Sequence, residues 1–457
     1  MLRMTLAEVA RVTGGRVAGG APGLEVRGVS TDSRSVEPGR LFVALRGERF
    51  DAHDFMRGAF EAGAAAAVVE HEVQGASPLV VVPDALNALG ELARAHRARL
   101  GGEWIAITGS AGKSTTKGML AAVLEAAGPV CAAKASYNNL VGVPLTVLEA
   151  DASCRFAVCE LGTNAPGEIA RLAEIVQPTM AIWTNVAPAH LAGLGSLEGV
   201  ATEKATLLDA LGPDGLAVLN ADDARVMAHA KRAARVATFG FSATADVRPL
   251  DFSMNGSGRS RFALEGGAKV VLPLPGRHNA YNALAAAVCA RALGVPPVEI
   301  ARRLAGYEPL AMRSAVHEAG DVLVLDDAYN ANPASFAAAL EVLAHIGADR
   351  RLVVVAGEML ELGEGAPALH RKLGERIAAV GPAGLLAVGA LASEIAAGAV
   401  DAGLAPKAAR TAADADEAAA LVTTLLRPGD AVLVKGSRAV HLERVTDAIR
   451  RVFGSEG

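Results

Sequence analysis

The stretch Gly102–Leu120, GEWIAITGSAGKSTTKGML, constrains the fold more than any other part of the chain. An apolar run, Trp104 to Ile107, leads into Thr108, Gly109, Ser110, Ala111, Gly112, Lys113, Ser114 and Thr115. Met119, Leu120, Val123 and Leu124 then recur at helical spacing. Strand, glycine turn and helix form the context that a phosphate-binding loop needs. Glycines let backbone N–H groups curl round an anion, and the helix N-terminus adds a favourable dipole. Lys113 supplies a point charge, and Ser114 or Thr115 a hydroxyl for Mg²⁺. The loop departs from the common G-x-x-x-x-G-K-[ST] pattern, because Gly109 stands only four residues before Lys113. A plain glycine-rich turn is the competing reading. Gly-Lys-Ser-Thr opening a helix after an apolar strand favours ATP or GTP binding, without naming a reaction.

At 457 residues the chain has room for about three domains. Apolar strand candidates recur as FAVCEL, MAIWTNV and GLAVLN, separated by helical stretches, which implies a parallel sheet covered on both faces. Before the loop, GLEVRGVSTDSR, GRLFVALRG, AAAAVVE and PLVVVP read as a smaller α/β unit. Ala85 to Leu100 reads as an amphipathic linking helix. Near Arg313 the pattern restarts: DVLVLDDAY, RLVVVAGEM, GLLAVGA and DAVLVKGS alternate with Ala-rich helices, as in a doubly wound domain. The expected units are 1–84, 85–312 and 313–457, all α/β. Asn255–Ser260 reads as a hairpin turn.

With 51% hydrophobic but 4% aromatic residues, the cores must rest on Ala, Leu and Val. The net charge of −5, with no Lys/Arg-rich block, argues against a nucleic-acid partner. No apolar run reaches the ~20 residues of a membrane span. Glu8 and Arg11 make the N-terminal stretch a poor signal peptide. The four cysteines, Cys131, Cys154, Cys159 and Cys289, form no C-x-x-C pair and read as structural thiols in a reducing cytosol. A cytoplasmic location is the expectation.

Glu160 ends the apolar run Phe156–Cys159, where an α/β site would put a Mg²⁺ ligand; a capping or surface Glu is the alternative. His190 follows another strand, at the same sheet edge, but a lone His is commonly a loop residue. Lys204, by its spacing alone, reads as a solvated helix lysine. Asn279 and Asn282 open an Ala-rich helix and compete with a capping role. Arg313 lies at the unit junction, where an exposed salt bridge is the alternative. In VLVLDDAYNANPAS, Asp326 and Asp327 end a strand and Asn330, Asn332 and Pro333 follow, a density of polar groups unusual for a plain turn. GEMLELGEGAPALH, with Glu358, Glu361 and His370, and Lys435-Gly436-Ser437-Arg438 end later strands. Three polar clusters at three strand ends suggest that one face of the third unit lines a cleft.

Together these residues resemble the Mur ligase superfamily, ATP-dependent enzymes that add amino acids to the bacterial cell-wall precursor. The short loop TGSAGKST is the superfamily's form. Asn138-Asn139-Leu140-Val141-Gly142-Val143-Pro144, ELG at Glu160, the Asn185-to-His190 spacing and Lys204 also match. DDAYNANP (326–333) and GEMLELG (357–363) resemble the branch that adds D-alanyl-D-alanine. The diaminopimelate- or lysine-adding branch typically carries an Asp-Asn-Pro-Arg run, which is missing here. That branch, and a folylpolyglutamate-synthase-like ligase, are the alternatives. Two departures are mild. Ser114 stands where Thr is commoner, and Ala52 stands where Gly is usual, which requires a negative φ.

The resemblance implies a phosphoryl transfer from ATP to the carboxylate of a UDP-muramoyl tripeptide, followed by attack of the D-alanyl-D-alanine amine. It implies a nucleotide site of Gly109–Thr115, Asn279, Asn282, Arg313 and Asp327. One Mg²⁺ would use Ser114 or Thr115 with Glu160; a second would use His190 and a carbamylated Lys204. Ser30, Asp32, Ser33 and Arg34 would address the UDP-sugar. Asn138, Asn139, Tyr329, Asn330, Asn332, Glu358 and Glu361 would contact the peptide substrates. A monomer with no nucleic-acid partner and no membrane insertion is expected.

Overall fold

A computed structural model describes residues 1–47, 50–133 and 137–454. Three sheets of five or six strands follow one another along the chain. The first has the order Arg16–Ala18, Leu79–Val81, Ala66–Val69, Leu41–Val43, Val29–Ser30, parallel except for its first strand. The N-terminal stretch that makes a poor signal peptide is structural. Arg3–Thr5 pairs with Glu25–Arg27, and Thr5 caps the helix Leu6–Thr13 reciprocally with Glu8. Ala52 opens a short 3₁₀ turn and is not among the positive-φ residues, which meets the condition set by its replacing Gly.

The helix Ala85–Arg97 fastens this unit to the next. Its buried Arg97 donates to the carbonyls of Val176 and Gln177 at 2.8 and 3.0 Å, a cation satisfying the exposed end of the helix Glu168–Val176.

The second sheet is six-stranded and wholly parallel. Its order is Arg235–Phe239, Leu216–Asn220, Met180–Trp183, Glu103–Thr108, Phe156–Glu160, Val130–Ala132. The strand feeding the phosphate loop is thus flanked by the strands ending at Glu160 and Trp183. Parallel strands buried on both faces read as continuous apolar runs, which is why these were legible. An antiparallel sheet of Leu250–Met254, Arg259–Ala263 and Lys269–Pro275 follows, with the expected turn between its first two strands.

The third sheet has the order Ala315–Ala319, Val322–Asp327, Ala431–Lys435, Leu352–Gly357, Gly384–Val388, Ala409–Ala412. Only its first strand is antiparallel. Helices cover both faces. Phe336, Leu343, Ile377 and Ile395 fill one core, and Val422, Val445 and Ile449 the other. Of the cysteines, Cys154, Cys159 and Cys289 are buried and Cys131 is half-buried; all are free thiols. Among the described residues, no helix is long and apolar enough to cross a membrane.

Candidate active site

The phosphate loop is held open by two glycines at which any side chain would be strained and crowded. Gly109 has φ +150, and a Cβ there would lie 1.9 Å from the Thr184 hydroxyl. Gly112, at φ +83, immediately precedes the helix Lys113–Leu124, and a Cβ would lie 2.2 Å from Asn282 Oδ1. Asn185 braces the loop from the next strand. Its amide oxygen accepts the Ala111 N–H at 2.9 Å, and its amide nitrogen donates to the Ala111 carbonyl at 3.1 Å. The Ser110 hydroxyl donates to the Ala187 carbonyl at 3.1 Å. Lys113 Nζ donates to the Gly109 carbonyl at 2.8 Å, folding back over the loop. Burial pushes the Lys113 ammonium below its ordinary range, against the pull of Glu160.

Glu160 is buried beside the loop. It accepts from the Ser114 hydroxyl at 2.6 Å and from Asn138 Nδ2 at 2.8 Å. Burial works to raise its pKa, but Lys113, Ser114, Arg313 and Asn138 together hold it below the ordinary value. An ionised carboxylate beside a hydroxyl at a phosphate loop is a hard-oxygen donor set suited to Mg²⁺. Among the described residues, no three His, Cys, Asp or Glu side chains gather as a metal cage. A cation here would therefore draw on the hydroxyl and on nucleotide oxygens, as Mg²⁺ commonly does.

Lys204 is not the solvated helix lysine that spacing alone suggests. It is 1% exposed, and its Nζ finds no hydrogen-bond partner among the described residues. Burial, then the nearby Lys113 charge, push its pKa down to about 7. A buried amine whose pKa is lowered, so that its neutral form is accessible, and which lacks a partner meets the chemical precondition for a carbamate.

The C-terminal unit closes the site. A cavity of about 390 Å³ is lined by loop residues Ser110–Thr115 with Asn138, Glu160, Asn279 and Asn282, and across from them by Arg313, Asp327, Tyr329, Asn330 and Asn332. Asn332 Nδ2 donates to the Ser110 carbonyl at 3.2 Å, a direct bond between the two units. The Arg313 guanidinium stacks 3.8 Å from the Tyr329 ring centre. Neither Asn279 nor Asn282 caps the helix Arg277–Ala292, which begins after Gly276 without a side-chain cap. Asn282 Oδ1 accepts from Thr116 at 3.3 Å, while Asn279 Nδ2 donates to Pro275 O at 2.8 Å.

Several expected site residues have other partners. Asp327, expected near a ribose or the hinge, pairs with Lys435 and accepts the Ser314 N–H at 2.8 Å, so it organises the cavity wall. Asn139 accepts from Val141 and Gly142 N–H groups at 3.1 and 2.9 Å and serves the turn before the helix Gly142–Glu149. Glu358 accepts from the Ala390 N–H at 3.2 Å, outside the cavity. Glu361 contacts His190 Nδ1 across the unit boundary and also lies outside the cavity lining, as does His190. The cluster around Asn330 and Asn332 faces the nucleotide loop instead of sharing one pocket with Glu358 and Glu361. His370 is fully buried; its Nε2 accepts the Met359 N–H at 2.9 Å, a structural role.

Sequence reasoning missed His278, Tyr281, Asn220 and Phe239 in the cavity lining. Lys435 stood in a noted cluster but was given no role. His278 and Tyr281 flank Asn279 in the stretch already singled out. The signal was therefore adjacent, while Asn220 and Phe239 carry none beyond ending apolar strands.

A second cavity of about 640 Å³ lies between the N-terminal and central units. Ser30, Asp32 and Arg40 line one side, and Cys131, Tyr137 and Glu149 the other. Ser33 and Arg34 do not line it. Arg34 forks back onto Asp32 at 2.9 and 2.7 Å, in solvent, and holds the Asp32 carboxyl down to about 2. Consecutive residues face the two cavities: Tyr137 lines this one and Asn138 the nucleotide cavity.

Three family descriptions match the chain in succession: Mur ligase family, catalytic domain, over residues 25–97; Mur ligase middle domain, over 107–290; and Mur ligase, glutamate ligase domain, over 312–438. The chain belongs to the Mur ligase family. Within it, the chain is 40% identical to the UDP-N-acetylmuramoyl-tripeptide–D-alanyl-D-alanine ligase of Mycobacterium tuberculosis, over 98% of each protein. It superposes on the crystal structure of MurF from Acinetobacter baumannii with a TM-score of 0.90 at 31% identity, over 99% of both chains. It also superposes on MurF ligase from Thermotoga maritima in complex with ADP, with a TM-score of 0.84 at 28% identity, over 94% of this chain and 99% of that one.

Proposed function

We propose that this chain joins D-alanyl-D-alanine to a UDP-N-acetylmuramoyl tripeptide in an ATP-dependent ligation of peptidoglycan precursor synthesis. The observation that carries this reading is the single cavity shared by the phosphate loop, Glu160 and the Arg313–Asn332 face of the C-terminal unit. The full-length similarity to ligases of that name supports the choice of substrates.

The γ-phosphoryl group of ATP passes to the tripeptide's terminal carboxylate, giving an acyl phosphate and ADP. The dipeptide amine attacks the acyl carbon, phosphate leaves, and the amine's proton is lost to water or a nearby base. The obstacle is charge. Two unit like charges 4 Å apart repel by about 4 kcal/mol at an effective dielectric of 20. That is nearly three decades of rate. Lys113 and Arg313 place fixed positive charge on both sides of the cavity. The loop N–H groups and the helix Lys113–Leu124 add oriented dipoles. Phe239 and Tyr281 give the cavity an aromatic end suited to a base, while Asn279 and Asn282 offer amide groups beside it. The docked C-terminal unit keeps water from an acyl phosphate that would otherwise hydrolyse.

Ser114 or Thr115 and Glu160 would hold one Mg²⁺, and His190 and a carbamylated Lys204 a second. Such cations neutralise phosphate charge and orient the phosphoryl oxygens. Carbamylation would turn the unpartnered Lys204 amine into an oxygen donor. The 640 Å³ cavity with Ser30 and Asp32 suits the UDP-sugar end of the substrate. ATP and a nucleotide-activated precursor as substrates favour a cytoplasmic setting, and the enzyme acts as a monomer.

Phosphate release tests the reading. UDP-muramoyl dipeptide and tripeptide are each combined with D-alanyl-D-alanine, diaminopimelate, lysine or glutamate. Release only with tripeptide plus D-alanyl-D-alanine is expected. Release with dipeptide plus diaminopimelate or lysine would replace the reading by the neighbouring branch.

A further inference from the structure

Glu361 reaches from the C-terminal unit to His190 of the central unit, and its carboxylate meets the histidine Nδ1. Two further contacts lock the same place. The Ala192 N–H donates to the Glu361 carbonyl at 3.1 Å. Gly363 packs beside it, where a Cβ would make ordinary van der Waals contact, at 3.4 Å, with backbone atoms of Ala192. Both partners adopt left-handed backbone, Glu361 at φ +64 and His190 at φ +55. Non-glycine residues enter that region at an energetic cost and persist where the surroundings over-determine them. Two such residues facing each other across a unit boundary mark a built contact.

A histidine whose Nδ1–H is held by a carboxylate has one tautomer and keeps its Nε2 lone pair for another partner. We propose that Glu361 is a positioning residue acting across the unit boundary: it fixes His190 with Nε2 available to a divalent cation, so that part of the cation site is complete only when the C-terminal unit is docked. This rests on the reading of His190 as a cation ligand. It gives GEMLELG a task at the nucleotide end of the reaction, and gives closure a chemical consequence beyond excluding water.

The test uses the full chain with ADP and Mn²⁺ as the probe, in wild type, Glu361→Ala, Glu361→Gln and His190→Ala. Mn²⁺ affinity is read by electron paramagnetic resonance and the His190 tautomer by ¹⁵N ring shifts. Wild type should show the Nδ1–H tautomer. Glu361→Ala should lose it and weaken Mn²⁺ binding by about 10–100-fold. Glu361→Gln, whose amide oxygen still accepts, should retain the tautomer and most of the affinity; it also reports on the site should the alanine variant fold poorly. If His190→Ala binds Mn²⁺ like wild type, the ligand reading fails and the inference with it. If His190→Ala weakens binding while Glu361→Ala does not, the ligand reading stands and the inference falls. An Nε2–H tautomer in wild type also overturns it.

Discussion

In the proposed reaction, Lys113 and Lys204 put one residue type to opposite ends. Lys113 is wanted as a cation, and Lys113→Ala should lower kcat/KM by at least about 10²–10³ with an unchanged melting profile. Lys204 would serve through a carbamate formed on its neutral amine, and Lys204→Ala should lose activity that short-chain carboxylates partly restore; full activity in the unsupplemented variant would exclude a role for the carbamate. His278 offers a pH handle. Burial holds its pKa down to about 4, and its Nε2 lies 3.1 Å from Asn279 Nδ2, as an acceptor would. The folded pKa lies below the unfolded value of about 6.5, so the unfolded chain binds the extra proton. Stability is therefore intact above pH 6.5 and lost as pH falls toward 4. Asp326, raised to about 6 by burial, works the other way between 6 and its unfolded value. Comparing wild type with His278→Asn isolates the histidine. The variant should lose less melting temperature between pH 7.5 and pH 5.

At the scale of elements, the phosphate loop depends on glycine geometry more than on sequence-specific contacts. Gly112→Ala forces a Cβ onto Asn282 in a left-handed position and should cost about 1–3 kcal/mol, read as a lower denaturation midpoint together with weaker ATP binding. Buried parallel strands were readable from sequence because each is a continuous apolar run bounded by turn residues. Val130–Ala132, Arg235–Phe239 and Ala409–Ala412 were not, and of the antiparallel pair Leu250–Met254 and Arg259–Ala263 only the turn between them was. They lie at sheet edges or half in solvent, and their composition is mixed. The same physics explains the site. Residues at the ends of buried strands, such as Glu160 and Asp327, announced themselves. Lys204 did not, because helical spacing says nothing about which face a neighbouring sheet covers, and only the resemblance pointed to it. Glu361 was noticed, but its partner His190 lies 171 positions away and no local pattern joins the two.

At the scale of the whole molecule, polar links between the central and C-terminal units include Asn332 to the Ser110 carbonyl, Glu361 to His190, Ala192 to the Glu361 carbonyl, His345 to the Asn255 carbonyl and His278 to Ser314. Nucleotide in the cleft would add contacts to both units, so the arrangement should respond to its occupancy. The double variant Asn332→Ala/Glu361→Ala should have a larger radius of gyration by small-angle scattering without nucleotide, and ATP with Mg²⁺ should shrink it. An unchanged radius in both states would mean that other contacts fix the arrangement.

Tyr137 and Asn138, neighbours in the chain, look into different chambers. Adjacent Cα atoms are about 3.8 Å apart, so at this point a single step of the chain separates the linings of the two rooms. A ligand anchored by its head in the larger room can present its tail to the phosphate loop only if the tail is long enough to pass that sill. In the proposed reaction, reach would therefore select the substrate before chemistry does.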